Sequence, residues 1–235
     1  MSEIAENLAE VRTRIAEACL RAGRSDGDVR LIAVSKTFPV EAVREAFEAG
    51  QTLFGESRQQ EAEPKIAALP PELCWHFIGG LQRNKVRKIL PRFTAIHAVD
   101  SLRLAESIQH VAEELDLRPQ VFLQVNAAGE LSKGGYEPET LRREMEALRA
   151  LDRLQIQGLM TIPPESSDAE HARPWFAGLR EFRDRLALES GLALPELSMG
   201  MSGDYEVAIE EGATLVRVGS AIFGRRAYRV DGELG

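Results

Sequence analysis

Residues 29–36 read VRLIAVSK, an apolar run that stops at a lysine. Leu31 to Val34 leave no polar face, which suits a parallel strand covered on both sides better than an antiparallel strand with one wet side. Working outward, Pro39 pre-sets the first turn of a helix that ends at Gly50. LFGES (53–57) is a second strand, with a helix after it through about Leu69, and CWHFIG (74–79) is a third. A helix rich in basic residues should follow through Leu90. AIHAVD (95–100) is the fourth strand, and Asp100 or Ser101 can cap the helix bearing Leu104, Ile108, Val111 and Leu115. PQVFLQVNA (119–127) and LQIQGLMTI (154–162) give the fifth and sixth, and Trp175, Leu179, Phe182 and Leu186 stripe the next helix. ELSMGMS (196–202) reads as a weaker seventh strand and TLVRVGSAIFG (214–224) as the eighth. On the other side, Ile4, Leu8, Val11, Ile15 and Cys19 form one helical stripe that ends near Gly23.

About eight strands alternating with helices imply right-handed parallel crossovers and favour a closed barrel. The expected fold is α/β: one TIM-like (β/α)8 domain over residues 1–235, with an extra N-terminal helix at about 2–22 and the barrel at about 29–226. Such barrels typically take about 250 residues. An open doubly wound sheet is the structural alternative, lowered by the missing glycine fingerprint after the first strand. The hydrophobic share of 44% is enough for one sizeable core. A net charge of −8 gives no general basic field for nucleic acid or an anionic membrane. Cys19 and Cys74 make neither a disulfide framework nor a zinc motif, and both read as small core residues. The acidic, helical start lacks a secretion-signal layout, and no apolar run approaches the roughly 20 residues of a membrane span. A cytoplasmic protein is expected.

Barrels of this kind carry their working groups at the C-terminal ends of the strands. The first strand ends in Ser35-Lys36, in a chain where only five of 29 basic residues are lysines. Lys65, Lys85 and Lys88 fall on helical segments and Lys133 in a polar loop, so Lys36 alone follows an apolar strand directly. Partial burial disfavours an ammonium and suits a Schiff-base lysine; the position also suits a lysine that snorkels to solvent. The loops after strands seven and eight, where barrels often bind phosphate, contain Gly200-Met201-Ser202-Gly203 and Gly219-Ser220. Glycines let backbone amides approach an anion and the serines add donors, although either loop alone reads equally as a tight turn. Arg217 interrupts Leu215-Val216-Arg217-Val218. It either pairs with a buried carboxylate or donates to a ring nitrogen or phosphate of a ligand.

Taken in order, LIAVSKTFPVEAVREAFEAGQTLFGES (31–57), WHFIGGLQRNK (75–85), SKGG (132–135), GLMTI (158–162), SMGMSGD (198–204) and VRVGSAIFGRR (216–226) resemble the pyridoxal-phosphate homeostasis proteins. The fold of that family resembles the N-terminal barrel of alanine racemase. The resemblance implies pyridoxal 5′-phosphate (vitamin B6 in its active form) as cofactor, held as an internal aldimine on Lys36. It further implies Met201, Ser202, Gly219 and Ser220 around the phosphate and Arg217 at the pyridine nitrogen. Relatives usually show Gly-Glu-Asn after the second strand, where this chain has Gly55-Glu56-Ser57. Serine is the shorter side chain, which puts in doubt any contact of that amide.

The implied role is a carrier that holds and distributes the cofactor within the cell, with apo pyridoxal-phosphate enzymes as partners and no turnover of its own. The alternative is an amino-acid racemase-like enzyme. Two-base racemisation needs a second acid/base on the opposite face, which in alanine racemase comes from a further domain and a partner subunit. After the eighth strand only AYRVDGELG follows, and Tyr228 is a poor substitute. A lysine-dependent aldolase without cofactor is a third reading that leaves the phosphate loops and Arg217 less well explained. His76 and His97 either line the pocket or are hydrogen-bonded barrel residues; His110 and His171 read as solvated. None offers metal-ligand spacing. Arg83, Lys85, Arg87 and Lys88 form a small basic cluster on one helix face, with a second anion site as the alternative.

Overall fold

A computed structural model describes residues 2–127, 129 and 134–224. Eight parallel strands close into a barrel in chain order: β1 (Arg30–Val34), β2 (Leu53–Glu56), β3 (Cys74–Phe77), β4 (Ala95–Val99), β5 (Gln120–Gln124), β6 (Gln155–Met160), β7 (Glu196–Met201) and β8 (Leu215–Val218). β8 pairs back onto β1, with Arg30 opposite Leu215 and Ala33 opposite Val218, and this leaves no edge exposed. The helices are α1 (Glu3–Arg21), α2 (Val40–Glu48), α3 (Gln59–Ala68), α4 (Val86–Ile89), α5 (Leu102–Glu114), α6 (Pro138–Arg149), α7 (Arg173–Ser190), α8 (Tyr205–Glu210) and α9 (Ser220–Phe223). The open sheet is therefore excluded.

Local chemistry sets the boundaries. Ser2 and Ser101 cap α1 and α5 by accepting from the amides of Ala5 and Leu104, and Gly191 ends α7 at φ 71°. The basic helix expected through Leu90 is much shorter. Gln82 is extended, Arg83–Lys85 form a 3-10 turn, and α4 has only four residues before Pro91, whose ring opposes a further turn. The seventh strand, expected to be weak, matches β6 as the longest at six residues and pairs with β6 and β8. Cys19 is buried, whereas Cys74 is half-buried at the opening of β3, its sulfur 2.9 Å from the Thr94 hydroxyl.

Outward-facing strand residues such as Ile96, Leu123, Leu197 and Val216 meet Val43, Ile108, Leu148 and Phe176 of the helices in one continuous apolar shell. A smaller apolar cluster inside the barrel includes Ile32, Ala95, Phe122, Met160 and Leu215. Helix α1 and the turn after it lie across the C-terminal elements: Asn7 Nδ2 donates to Ile222 O (3.0 Å) and Arg24 to Ile209 O (2.8 Å). Arg14 pairs with Glu206, and Arg21 with both Glu206 and Glu210. No helix among the described residues is long and apolar enough to cross a membrane.

Candidate functional site

The end of β1 turns sharply. Phe38 N donates to Ser35 O (3.1 Å), so Lys36 and Thr37 are the middle residues of a four-residue turn, with Thr37 at φ 70°. Lys36 is half-buried and lines a cavity of about 400 Å³ at the C-terminal mouth of the barrel. Val34, Phe38 and Ile78 line the same cavity and give it an apolar wall beside Lys36.

Opposite it, the loops after β7 and β8 meet. Gly200 turns the chain at φ 90°, where a Cβ would lie 2.6 Å from that of Ala208, so only glycine lets α8 pack this closely under the loop. Asp204 Oδ1 accepts from Met201 N (2.6 Å) and fixes the turn. Ser202 Oγ then accepts from two amides of the neighbouring loop, Gly219 N (3.1 Å) and Ala221 N (3.3 Å). Backbone donors converging on one oxygen are what an anion requires. Met201 and Ser220 stand exposed at the rim.

Arg217 projects inward from β8 and is 4% exposed. Of the two partner types expected for it, the structure provides no carboxylate pair among the described residues: one guanidinium nitrogen donates to Ser198 Oγ (2.7 Å) and another to Thr161 O (3.0 Å). Ser198 Oγ lies 2.8 Å from His97 Nδ1, and His97 Nε2 lies 2.9 Å from His76 Nδ1. An arginine only donates, so the buried serine hydrogen finds its acceptor at His97 Nδ1. This places the His97 proton on Nε2, directed at His76 Nδ1, and leaves both rings neutral. Burial first, then the nearby Arg30, lowers His76 to about 4; burial, then His76, Arg217 and Arg30, holds His97 well below the usual imidazole range. Burial also pushes Arg217 down to about 10, against the pull of Asp204, so it stays cationic at neutral pH.

The structure thus brings Lys36, Met201, Ser202, Arg217, Gly219 and Ser220 around one cavity. His76 and His97 are hydrogen-bonded barrel residues and not cavity walls. Lys65, read in the sequence simply as a helical lysine, is buried and donates to Ser35 O (2.7 Å) and Glu56 Oε1 (2.6 Å). The available signal was its spacing from Ala62 and Leu69, which places it on the inner face of α3. Ser57 packs its backbone on the chain at Gly79, where a Cβ would meet Ser57 O at 2.4 Å. Its hydroxyl makes no hydrogen bond among the described residues. Arg83, Lys85, Arg87 and Lys88 lie on the 3-10 turn and α4, away from the cavity, with Arg87 paired to Glu114. His110 and His171 are exposed. Among the described residues no group of His, Cys, Asp and Glu is arranged to hold a metal ion. Ser132, Lys133, Arg225, Arg226 and Tyr228 lie outside the described residues.

A closed parallel barrel with a lysine after β1, an arginine inside β8 and paired amide-bearing loops after β7 and β8 defines the alanine racemase N-terminal domain class, whose family matches residues 2–227. The pyridoxal phosphate homeostasis protein of Aquifex aeolicus is 47% identical over 224 residues, covering 95% of this chain and 98% of that one. Its counterpart in Pseudomonas aeruginosa is 49% identical over 234 residues, covering 97% and 98%. PipY of Synechococcus elongatus PCC7942, solved without and with PLP bound, superposes with TM-scores of 0.86 and 0.84 at 44% identity, over 94% of this chain and all of that one. The chain belongs to the pyridoxal phosphate homeostasis protein family.

Proposed function

We propose that this chain binds pyridoxal 5′-phosphate at the barrel mouth, covalently through Lys36, and serves cofactor homeostasis in the cell without turnover of its own. The observation that carries the reading is the convergence of a half-buried lysine, a buried guanidinium and two glycine–serine loops on one cavity of about 400 Å³. Its donor set fits an aldehyde, a ring nitrogen and a phosphate on a single ligand. The PLP-bound structure of PipY supports it from the side of the relatives. When bound, the cofactor supplies an aldehyde that condenses with amines and a ring that withdraws electrons when its nitrogen is protonated.

Each residue then has a task. Lys36 would hold the cofactor through its aldehyde. The Gly219 and Ala221 amides, which donate to Ser202 Oγ in this structure, would turn to the phosphate together with the Ser202 and Ser220 hydroxyls, with Met201 at the rim. Arg217 donates to the ring nitrogen. A guanidinium cannot give that nitrogen a full proton, which weakens the ring as an electron sink and favours storage over catalysis. Apo pyridoxal-phosphate enzymes are the receiving partners in this reading, and the compartment is the cytoplasm.

The test is the visible spectrum of the protein mixed with pyridoxal 5′-phosphate, beside Lys36→Ala. A band that borohydride fixes onto Lys36, absent in the variant, is expected; a band unchanged in the variant overturns the reading. D- and L-alanine should undergo no measurable conversion, and steady turnover lost in Lys36→Ala would overturn the non-catalytic part.

A further inference from the structure

Resting on that reading of Lys36, we propose that Glu56, Glu61 and Lys65 are positioning residues that hold the turn carrying this lysine. None of the three lines the cavity. Their contacts fall on the residues immediately either side of Lys36. On one side, Ser35 O accepts from Lys65 Nζ (2.7 Å), and Ser35 Oγ donates to Glu56 Oε1 (2.7 Å), which also receives Lys65 Nζ (2.6 Å). On the other, Thr37 N donates to Glu61 Oε2 (2.9 Å).

Two features argue that this clamp does more than stabilise the fold. Thr37 is β-branched at φ 70°, a conformation such residues avoid, and it persists only where surrounding contacts over-determine it. The Glu61 hydrogen bond is the contact that holds the Thr37 amide in that turn. Glu56 and Lys65 are a buried ion pair, and Glu56 Oε2 has no hydrogen-bond partner. A well-packed apolar pair would serve stability as well or better, so an ion pair here is better explained by the geometry it imposes. Rigid residues on both sides limit the arc through which the Lys36 amine can swing. The linkage forms when that amine attacks the aldehyde carbon, a C=N bond replaces the C=O bond, and one water leaves. Its rate in both directions then depends on how well the turn is held.

The experiment measures, by stopped-flow absorption, formation and loss of the borohydride-fixable adduct in Glu61→Ala, Glu61→Gln, Lys65→Met and the double variant Glu56→Gln/Lys65→Met. Circular dichroism checks that each is folded. Glu61→Ala should slow adduct formation roughly tenfold or more, and Glu61→Gln should restore it, because an amide oxygen still accepts from Thr37 N. If Lys65→Met fails to fold through its orphaned carboxylate, the charge-free double variant and the half-exposed Glu61 position carry the test. Unchanged rates in folded variants, or equal slowing by Glu61→Ala and Glu61→Gln, overturn the proposal while leaving Lys36 as the attachment point. A band that survives in Lys36→Ala overturns both.

Discussion

The barrel has two interiors built on different rules. Between strands and helices the shell is mostly apolar, with residues such as Leu8, Phe54, Leu123 and Phe176 fully buried and the Glu56–Lys65 pair as a buried ionic exception. Inside the strand ring, the apolar cluster shares its space with His76, His97, Ser198 and Arg217, all buried and joined by hydrogen bonds. β8 shows the switch within four residues: Leu215 and Arg217 face in, Val216 and Val218 face out. Area holds the outer shell, and a shape error there has a local cost. Direction holds the inner chain, where Arg217, Ser198 and His97 each bridge two partners and a missing one strands its neighbours.

The widest expected effect belongs to the shell. Phe176→Ala should cost about 3–5 kcal/mol in denaturant unfolding and leave adduct formation at Lys36 unchanged in the folded fraction. Loss of the adduct without loss of stability would break the division. The next belongs to the inner chain and is read against pH. His76 titrates at about 4 when folded and near 6.5 when unfolded. Between those values the unfolded state binds the extra proton. The stability contribution is therefore complete above the unfolded value and is lost as pH falls to about 4, roughly 3 kcal/mol in all. Unfolding free energies across that window, with the His76 imidazole followed by NMR, check it; a His76 midpoint near 6.5 would remove the neutral chain.

Ser198→Ala orphans both the Arg217 donor and the His97 acceptor and should cost about 1–3 kcal/mol. It should also shift the absorption of bound pyridoxal 5′-phosphate, since Arg217 would keep only its bond to Thr161 O; an unchanged spectrum would confine Ser198 to stability. Leu188 is 86% exposed, and Leu188→Glu should stay within about 0.5 kcal/mol of the parent. A larger cost would mean that the apolar shell extends beyond the buried residues.

The apolar shell was legible from the short apolar runs of the strands and the 3.6-residue stripes of α1 and α7. Lys36, Met201, Ser202, Gly219 and Ser220 were legible because a barrel confines its chemistry to strand ends. The inner chain was not. Ser198 sits mid-strand like any small residue, and its role exists only because β8 sets Arg217 beside it and β4 sets His97 on its other side. Lys65 was hidden for a related reason. A lysine on a helix reads as solvent-facing unless its partner is known, and Glu56 stands nine residues earlier on a different element. α4 was overestimated because composition shows basic residues but not the extended backbone at Gln82 or the limit that Pro91 sets.

The strap of α1 over α8 and α9 has a consequence for how the molecule is made. Asn7 reaches Ile222, 215 residues along the chain, and β1 must wait for β8 before the ring closes. Contacts of such separation form slowly, because a long loop has to be ordered before they repay it. On a chain emerging from its N-terminus, α1 and Lys36 are present early, while Ser202 cannot meet the amides of Gly219 and Ala221 until the end. Competence to hold a phosphate should therefore appear in one late kinetic step, together with ring closure.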